Sequence, residues 1–219
     1  MNIQISNKIL ENCPQLKLAV LICEVKNAET SRTLWDEMEL EIQRIKATFS
    51  LEEINKRPEI AATRKIYKSL RKDPNRYRPS AEALCRRIVR GIPIYEVSTL
   101  VDIINIVSIR SGFSIGGFDI DRIQGNIELG VGTSEDKFEA IGRGLLNVEG
   151  LPLYRDKVSG IGTPTSDNER TKITDKTTQL LMIINGYNGK DGLQEAVEYA
   201  IQLLKRYAGL QKYEVNWID

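Results

Sequence analysis

Two neighbouring stretches decide how this chain reads: Leu-Val-Asp-Ile-Ile-Asn-Ile-Val-Ser-Ile at residues 100–109 and Ser-Gly-Phe-Ser-Ile-Gly-Gly-Phe-Asp-Ile-Asp at residues 111–121. In the first, Asp102 and Asn105 are the only polar residues up to Val107, and a spacing of three puts them on one face of a helix. A helix apolar on its other sides is buried, and a buried carboxylate or amide left unpaired costs about 1–3 kcal/mol. Two readings stand: the pair hydrogen-bonds backbone groups of the following loop, or it shapes a pocket. In the second stretch Gly116 and Gly117 permit backbone geometries closed to other residues and close approach of a ligand. Asp119 and Asp121 point to opposite sides of a strand or share a turn. No third carboxylate follows at calcium-loop spacing, so a metal site is not expected.

Residues 3–5 and 16–25 pattern as strands, and residues 35–49 as a helix with Trp35, Met38, Ile42, Ile45 and Phe49 in one stripe. Ser50 with Glu53 forms a capping-box pattern ahead of a short helix. Further helices are expected over 60–70, over 80–90 with Ser80 as N-cap, and from Ser98 to about residue 109. Residues 113–186 change texture. They are rich in Gly, Thr, Ser and Asp, with short apolar segments at 127–129, 137–141, 151–154 and 179–184, which indicates sheet. A last helix over 193–207 and a closing strand over 213–217 complete an α+β chain, helices leading and β structure following.

At 219 residues and 41% hydrophobic composition the chain can bury a sizeable core. The longest wholly apolar run, residues 18–23, is too short to span a membrane, and the N-terminus has no apolar signal core. Three cysteines without metal-type spacing suggest reduced thiols and a cytoplasmic location. There is no histidine, which excludes His-based triads, imidazole general bases and imidazole-ligated zinc.

The formal net charge is only +1, yet residues 56–90 hold twelve basic side chains against Glu59, Asp73 and Glu82. Lys68, Arg71, Lys72, Arg76, Arg78, Arg86 and Arg87 are the candidate RNA-binding set of this block. It is either an electrostatic footprint for phosphates or a solvated face of two helices. A further candidate loop is Gly-Thr-Pro-Thr-Ser-Asp-Asn-Glu-Arg-Thr at 162–171, where Ser166, Asp167, Arg170 and Thr171 are placed either to meet water or to hydrogen-bond an amino-acid or ribose moiety.

Arg-Arg-Ile-Val-Arg (86–90), Leu-Val-Asp-Ile-Ile-Asn-Ile-Val (100–107), Gly-Gly-Phe-Asp-Ile-Asp-Arg-Ile-Gln-Gly (116–125) and the strand-turn pattern from Phe138 to Gly144 occur in an order that resembles the B3/B4 editing module of the phenylalanyl-tRNA synthetase beta subunit. Residues 76–84 and 166–174 resemble free-standing proteins of that family, and no stretch resembles a synthetase catalytic core, an anticodon domain or an ATP-binding motif. The resemblance implies an α+β fold with a sandwich of unusual topology, shared with a domain of tRNA-lysidine synthetases. It places that domain at 76–219, with 1–75 as an N-terminal α/β extension packed on it in one compact unit. It also implies a tRNA partner carrying an amino acid, hydrolysis of the aminoacyl ester, and no cofactor or metal. The alternative within the same fold is a non-catalytic RNA- or amino-acid-binding module.

Carried over by position, Asn105 is a pocket residue, while Asp102, Phe118 and Asp119 build the pocket wall and its loop beside Gly116 and Gly117. Catalytic residues stay unassigned, because two positions depart from the family pattern. Gly116 stands where the synthetases place a pocket histidine, and Ile183 about where they place the glutamate that reads the tyrosyl hydroxyl. The expectation is a pocket less polar at its far end, with little preference for tyrosine. Asp102, Asn105 and Asp119 are expected to converge on one cavity with the 163–171 loop.

Overall fold

The apolar run at 18–23 becomes the structural axis of the molecule. The computed structural model describes residues 2–219. In chain order the elements are β1 (Ile3–Ile5), α1 (Asn7–Asn12), β2 (Lys17–Glu24), α2 (Arg32–Thr48), α3 (Pro58–Ser69), α4 (Ser80–Val89), α5 (Thr99–Ser111), β3 (Ile115–Asp119), β4 (Ile127–Val131), β5 (Glu139–Ala140), β6 (Gly144–Leu145), β7 (Pro152–Arg155), β8 (Gly160–Gly162), β9 (Gln179–Gly186), α6 (Leu193–Tyr207) and β10 (Lys212–Ile218). Two four-stranded sheets result, ordered β1-β4-β7-β8 and β10-β2-β9-β3, with β5 and β6 as a separate hairpin.

β2 is buried on both faces, which explains why it reads as a continuous apolar run and not as an alternation. Successive strand residues point to opposite faces, so Leu18 and Val20 enter one core while Ala19, Leu21 and Cys23 enter the other. The first core lies between the two sheets, where Leu18 and Val20 join Phe118, Leu129, Leu153, Ile161, Leu181 and Ile183. The second lies between the β10-β2-β9-β3 sheet and helices α2, α4, α5 and α6. The molecule is therefore a sandwich of two sheets with a helical layer on one side. Residues 2–75 are woven into both sheets, since β1 pairs in parallel with β4 and β2 lies between β10 and β9.

Several local expectations shift by a residue or a turn. Ser80 is the first residue of α4 and Pro79 its cap; the Ser80 amide donates to the Pro164 carbonyl at 2.8 Å, tying the helix to the 163–166 loop. The Ser50–Glu53 box is half made: the Glu53 carboxylate accepts the Ser50 amide at 2.7 Å, and the chain then forms a single 3-10 turn, Ile54–Lys56. All three cysteines are free and buried. No helix among the described residues is long and apolar enough to cross a membrane.

Candidate functional site

A cleft of about 440 Å3 opens between α5, the free edge of β3 and the 163–173 segment. Helix α5 supplies Val101, Ile104, Asn105 and Ser108, and the strand supplies Ile115 and Gly117. The loop side brings Thr163, Ser166, Asp167, Lys172 and Ile173, while Ser80 and Leu84 of α4 close the back. Val97 and Ile141 stand at the rim, both well exposed for apolar residues. The walls are thus largely aliphatic, with polar groups contributed by α4, α5 and the loop.

Four of the ten pocket residues expected from sequence line this cleft: Asn105, Gly117, Ser166 and Asp167. The other six lie outside it. Asp102 turns away from the cleft and accepts from the Val97 amide at 3.2 Å and from the Thr30 hydroxyl. Burial raises its carboxyl above the usual carboxylate range, against the lowering effect of those two bonds. At about 100° per residue, Val101, Ile104, Asn105 and Ser108 form one stripe of α5, and Asp102 lies roughly a quarter turn or more off it.

Asp119 ends β3, accepts from the Asp121 amide at 3.1 Å and from the Thr177 hydroxyl at 2.8 Å, and so belongs to the turn beyond the strand. Phe118 fills the inter-sheet core. Arg170 pairs with Asp156 at 2.7 Å and donates to the Arg122 carbonyl, bracing two loops. Thr171 is buried, and its hydroxyl has no hydrogen-bond partner among the described residues. Asp102, Asn105 and Asp119 therefore do not converge.

The glycine pair serves packing and not an unusual backbone. Neither Gly116 nor Gly117 has a positive φ. A Cβ on Gly116 would stand 2.7 Å from the Phe118 ring, and one on Gly117 would run into Ile104 and 3.1 Å from Ile173, narrowing the cleft. Gly116 and Ile183 are register partners on β3 and β9, and Ile183 points into the inter-sheet core. Neither lines the cleft, so the polarity of its far end is not set by those two positions.

Asp167 is the exceptional group. Its Oδ2 accepts the Gly117 amide at 3.1 Å, which satisfies a donor on the free edge of β3. Removal from water pushes its carboxyl up to about 7, only partly opposed by that hydrogen bond. Of the cleft hydroxyls, Ser108 donates to the Phe113 carbonyl at 2.7 Å, Thr163 to the Ser166 carbonyl at 3.1 Å and Ser166 to the Asp167 carbonyl at 3.4 Å, while that of Ser80 makes no hydrogen bond among the described residues. No nucleophile–base pair of the covalent-catalysis type is formed by them. No group of three or more Cys, Asp or Glu among the described residues has the arrangement of a metal site.

The basic block divides in two. Lys68, Arg71 and Arg76 are exposed, as is Lys65. Lys56 and Arg90 are exposed too, and the remaining members of the candidate set, Lys72, Arg78, Arg86 and Arg87, are held in the structure. The Lys72 ammonium is buried, donates to the Asn147 and Glu149 carbonyls and sits 3.7 Å over the Tyr77 ring. Arg86 pairs with the fully buried Glu82 at 2.7 Å, and Arg78 approaches the same carboxylate at 3.7 Å. Arg87 lies over Tyr95 and donates to the Pro93 carbonyl. The chain itself joins the exposed remainder to the cleft: the Tyr77 carbonyl accepts from the Thr165 hydroxyl at 3.3 Å, next to Ser166 and Asp167.

Sequence reasoning missed Val101, Ile104 and Ser108, although their spacing around Asn105 carried the signal. It had no access to Ser80, Leu84 or Lys172 as neighbours of Asn105.

The B3/4 domain model matches residues 62–209. No curated protein matches the chain. Among solved structures, an N-terminal fragment of the phenylalanyl-tRNA synthetase beta subunit from Pyrococcus horikoshii aligns over 100% of this chain and 54% of its own length, with a TM-score of 0.50 and 14% identity. The likeness at that identity is one of fold, and the chain spans about half the length of that relative.

Proposed function

Since the chain belongs to the B3/4 domain family, we propose that its cleft takes the amino acid of an aminoacyl-tRNA and hydrolyses the ester that joins the two. The observation that carries this reading is the cleft itself. Its volume of about 440 Å3 is in the range of small-ligand sites, and its walls are largely aliphatic, with Asn105 of α5 and Ser166 and Asp167 of the loop adding polar groups. An apolar side chain fits the aliphatic walls while the acyl group faces the polar groups.

Hydrolysis adds water across the ester: the hydroxide portion bonds to the acyl carbon, the bond to the ribose oxygen breaks, and that oxygen takes the proton. No cleft hydroxyl is hydrogen-bonded to a base among the described residues, so attack is by water and not by an activated protein nucleophile. The Asn105 amide makes no side-chain hydrogen bond within the described residues and is free to donate to the acyl oxygen, as polarising groups do in ester cleavage. The exposed cations Lys65, Lys68 and Arg76 suit the phosphates of the tRNA.

A panel of mischarged tRNAs incubated with the purified protein under single turnover tests the proposal. Release of an amino acid with an aliphatic side chain, faster than release of tyrosine, is the expected result. Binding of aminoacyl-tRNA without release from any member would favour a non-catalytic module, for which the lack of an activated nucleophile already speaks.

A further inference from the structure

A carboxylate in an aliphatic cleft needs a counter-charge, and the protein provides none for Asp167. The cations nearest in sequence are already paired, Arg170 with Asp156 at 2.7 Å and Lys172 with Glu169. No Lys or Arg of the described residues forms an ion pair with Asp167, and its titration is shaped by desolvation and one backbone hydrogen bond. That bond, from the Gly117 amide at 3.1 Å, fixes Oδ2. Oδ1 makes no hydrogen bond among the described residues, and Asp167 lines the cleft; a Cβ on Gly162 would stand 2.8 Å from this oxygen. An oriented, uncompensated carboxylate with one oxygen free is a receptor for a cation bearing hydrogen-bond donors. The aliphatic wall of Ile104 and Ile173 beside it restricts that cation to one carrying an apolar group.

We infer that Asp167 is the anchor for the α-ammonium group of the amino acid that enters the cleft. This rests on the reading of the cleft as an amino-acid site and adds how the amino acid is held. The ammonium donates to Oδ1, the side chain lies along Ile104 and Ile173, and the acyl carbon is left toward Asn105. The site distinguishes free from blocked amines: an N-acylated residue has neither the charge nor the donors that Oδ1 requires. The carboxylate acts here as a positioning and binding group, and no proton transfer to it is invoked.

The experiment measures binding of leucinamide and phenylalaninamide, which keep the ammonium and cannot be hydrolysed as esters, against their N-acetyl counterparts, by NMR titration of the full chain. N-acetylation and Asp167→Asn are each expected to weaken binding about tenfold or more, the scale of a charge-assisted contact. The ammonium favours the ionised carboxylate, so affinity in the wild-type protein should climb from about pH 5 to about 7, and Asp167→Asn should abolish the climb. Other titratable groups facing Asp167 do not mimic this window. The Tyr154 phenol is raised by burial and by Asp167 itself, Lys172 is held by Glu169, and the chain has no histidine.

Equal binding of the N-acetyl amides overturns the inference without any variant having to fold. So does undiminished binding by Asp167→Asn, or absence of binding by every amide. Wild-type turnover of an aminoacyl-tRNA that Asp167→Asn leaves unchanged removes the anchor and keeps the editing reading. Amide binding that depends on Asp167, with no turnover of any tRNA, keeps the anchor and removes hydrolysis.

Discussion

Single residues in this protein are decided by whether water reaches them. Glu82 is fully buried and holds Arg64 at 2.8 Å and Arg86 at 2.7 Å, with Arg78 at 3.7 Å. Glu82→Ala leaves guanidinium groups partly buried without a counter-charge. The expected loss is about 3–5 kcal/mol in urea unfolding, the scale for breaking a buried pair from one side. Two carboxylates give opposite pH signatures. Asp136 is held down to about 2, chiefly by the Arg155 guanidinium and then by Thr133. Its contribution is complete above an unfolded pKa of about 3.9 and is lost as pH falls toward 2; Asp136→Asn should remove about 1–2 kcal/mol at neutral pH and flatten that acid limb. Asp167, raised to about 7, runs the other way. Its contribution is complete below about pH 3.9 and is lost as pH rises through 7, so Asp167→Asn should abolish a fall in stability between those limits. Unfolding midpoints measured across that pH range for the three proteins check both signs.

At the scale of elements, α3 and the segment after it carry the charge that faces solvent. Lys65 and Lys68 are three apart on one face of α3, and Arg76 follows beyond its end. Reversing these three to glutamate should weaken tRNA binding about tenfold or more at low salt. It should also flatten the salt dependence, since a phosphate without its cation no longer releases a counterion on binding. Filter binding at several salt concentrations reads both quantities, and unchanged affinity at low salt would return the face to a purely solvating role. The comparison substitution is Lys72→Glu. It removes a buried ammonium from two carbonyls and should register in stability first. Nothing in the run of basic residues separates these two kinds of lysine. Lys72 becomes structural because residues 147–149 fold over it.

For the whole molecule the central fact is that β2 serves both cores. Leu18→Ala acts on the inter-sheet core and Leu21→Ala on the helix-facing core, and each should cost about 2–5 kcal/mol. Both losses should appear in one cooperative transition, because the two cores share a strand. A fragment beginning at residue 62, where the family match starts, lacks β1, β2 and α2 and leaves β9 and β10 without the strand between them. Such a fragment should show no sharp unfolding transition and poor amide dispersion by NMR. The sequence alone determined what depends on neighbours within a turn or two: the buried character of α5 from its apolar run, α6 from Leu193 to Tyr207, the strands of the second half, and the nearness of Asn105 and Gly117, which line one cleft. Tertiary structure decided what depends on partners far along the chain. Asp102 found Thr30, seventy-two residues away, and left the cleft. Asp167 was set against Gly117, fifty residues away, with no cation beside it. Periodicity records which face of an element avoids water; which groups meet on that face depends on how distant segments pack, and that packing turned an ordinary loop aspartate into the one uncompensated charge in the cleft.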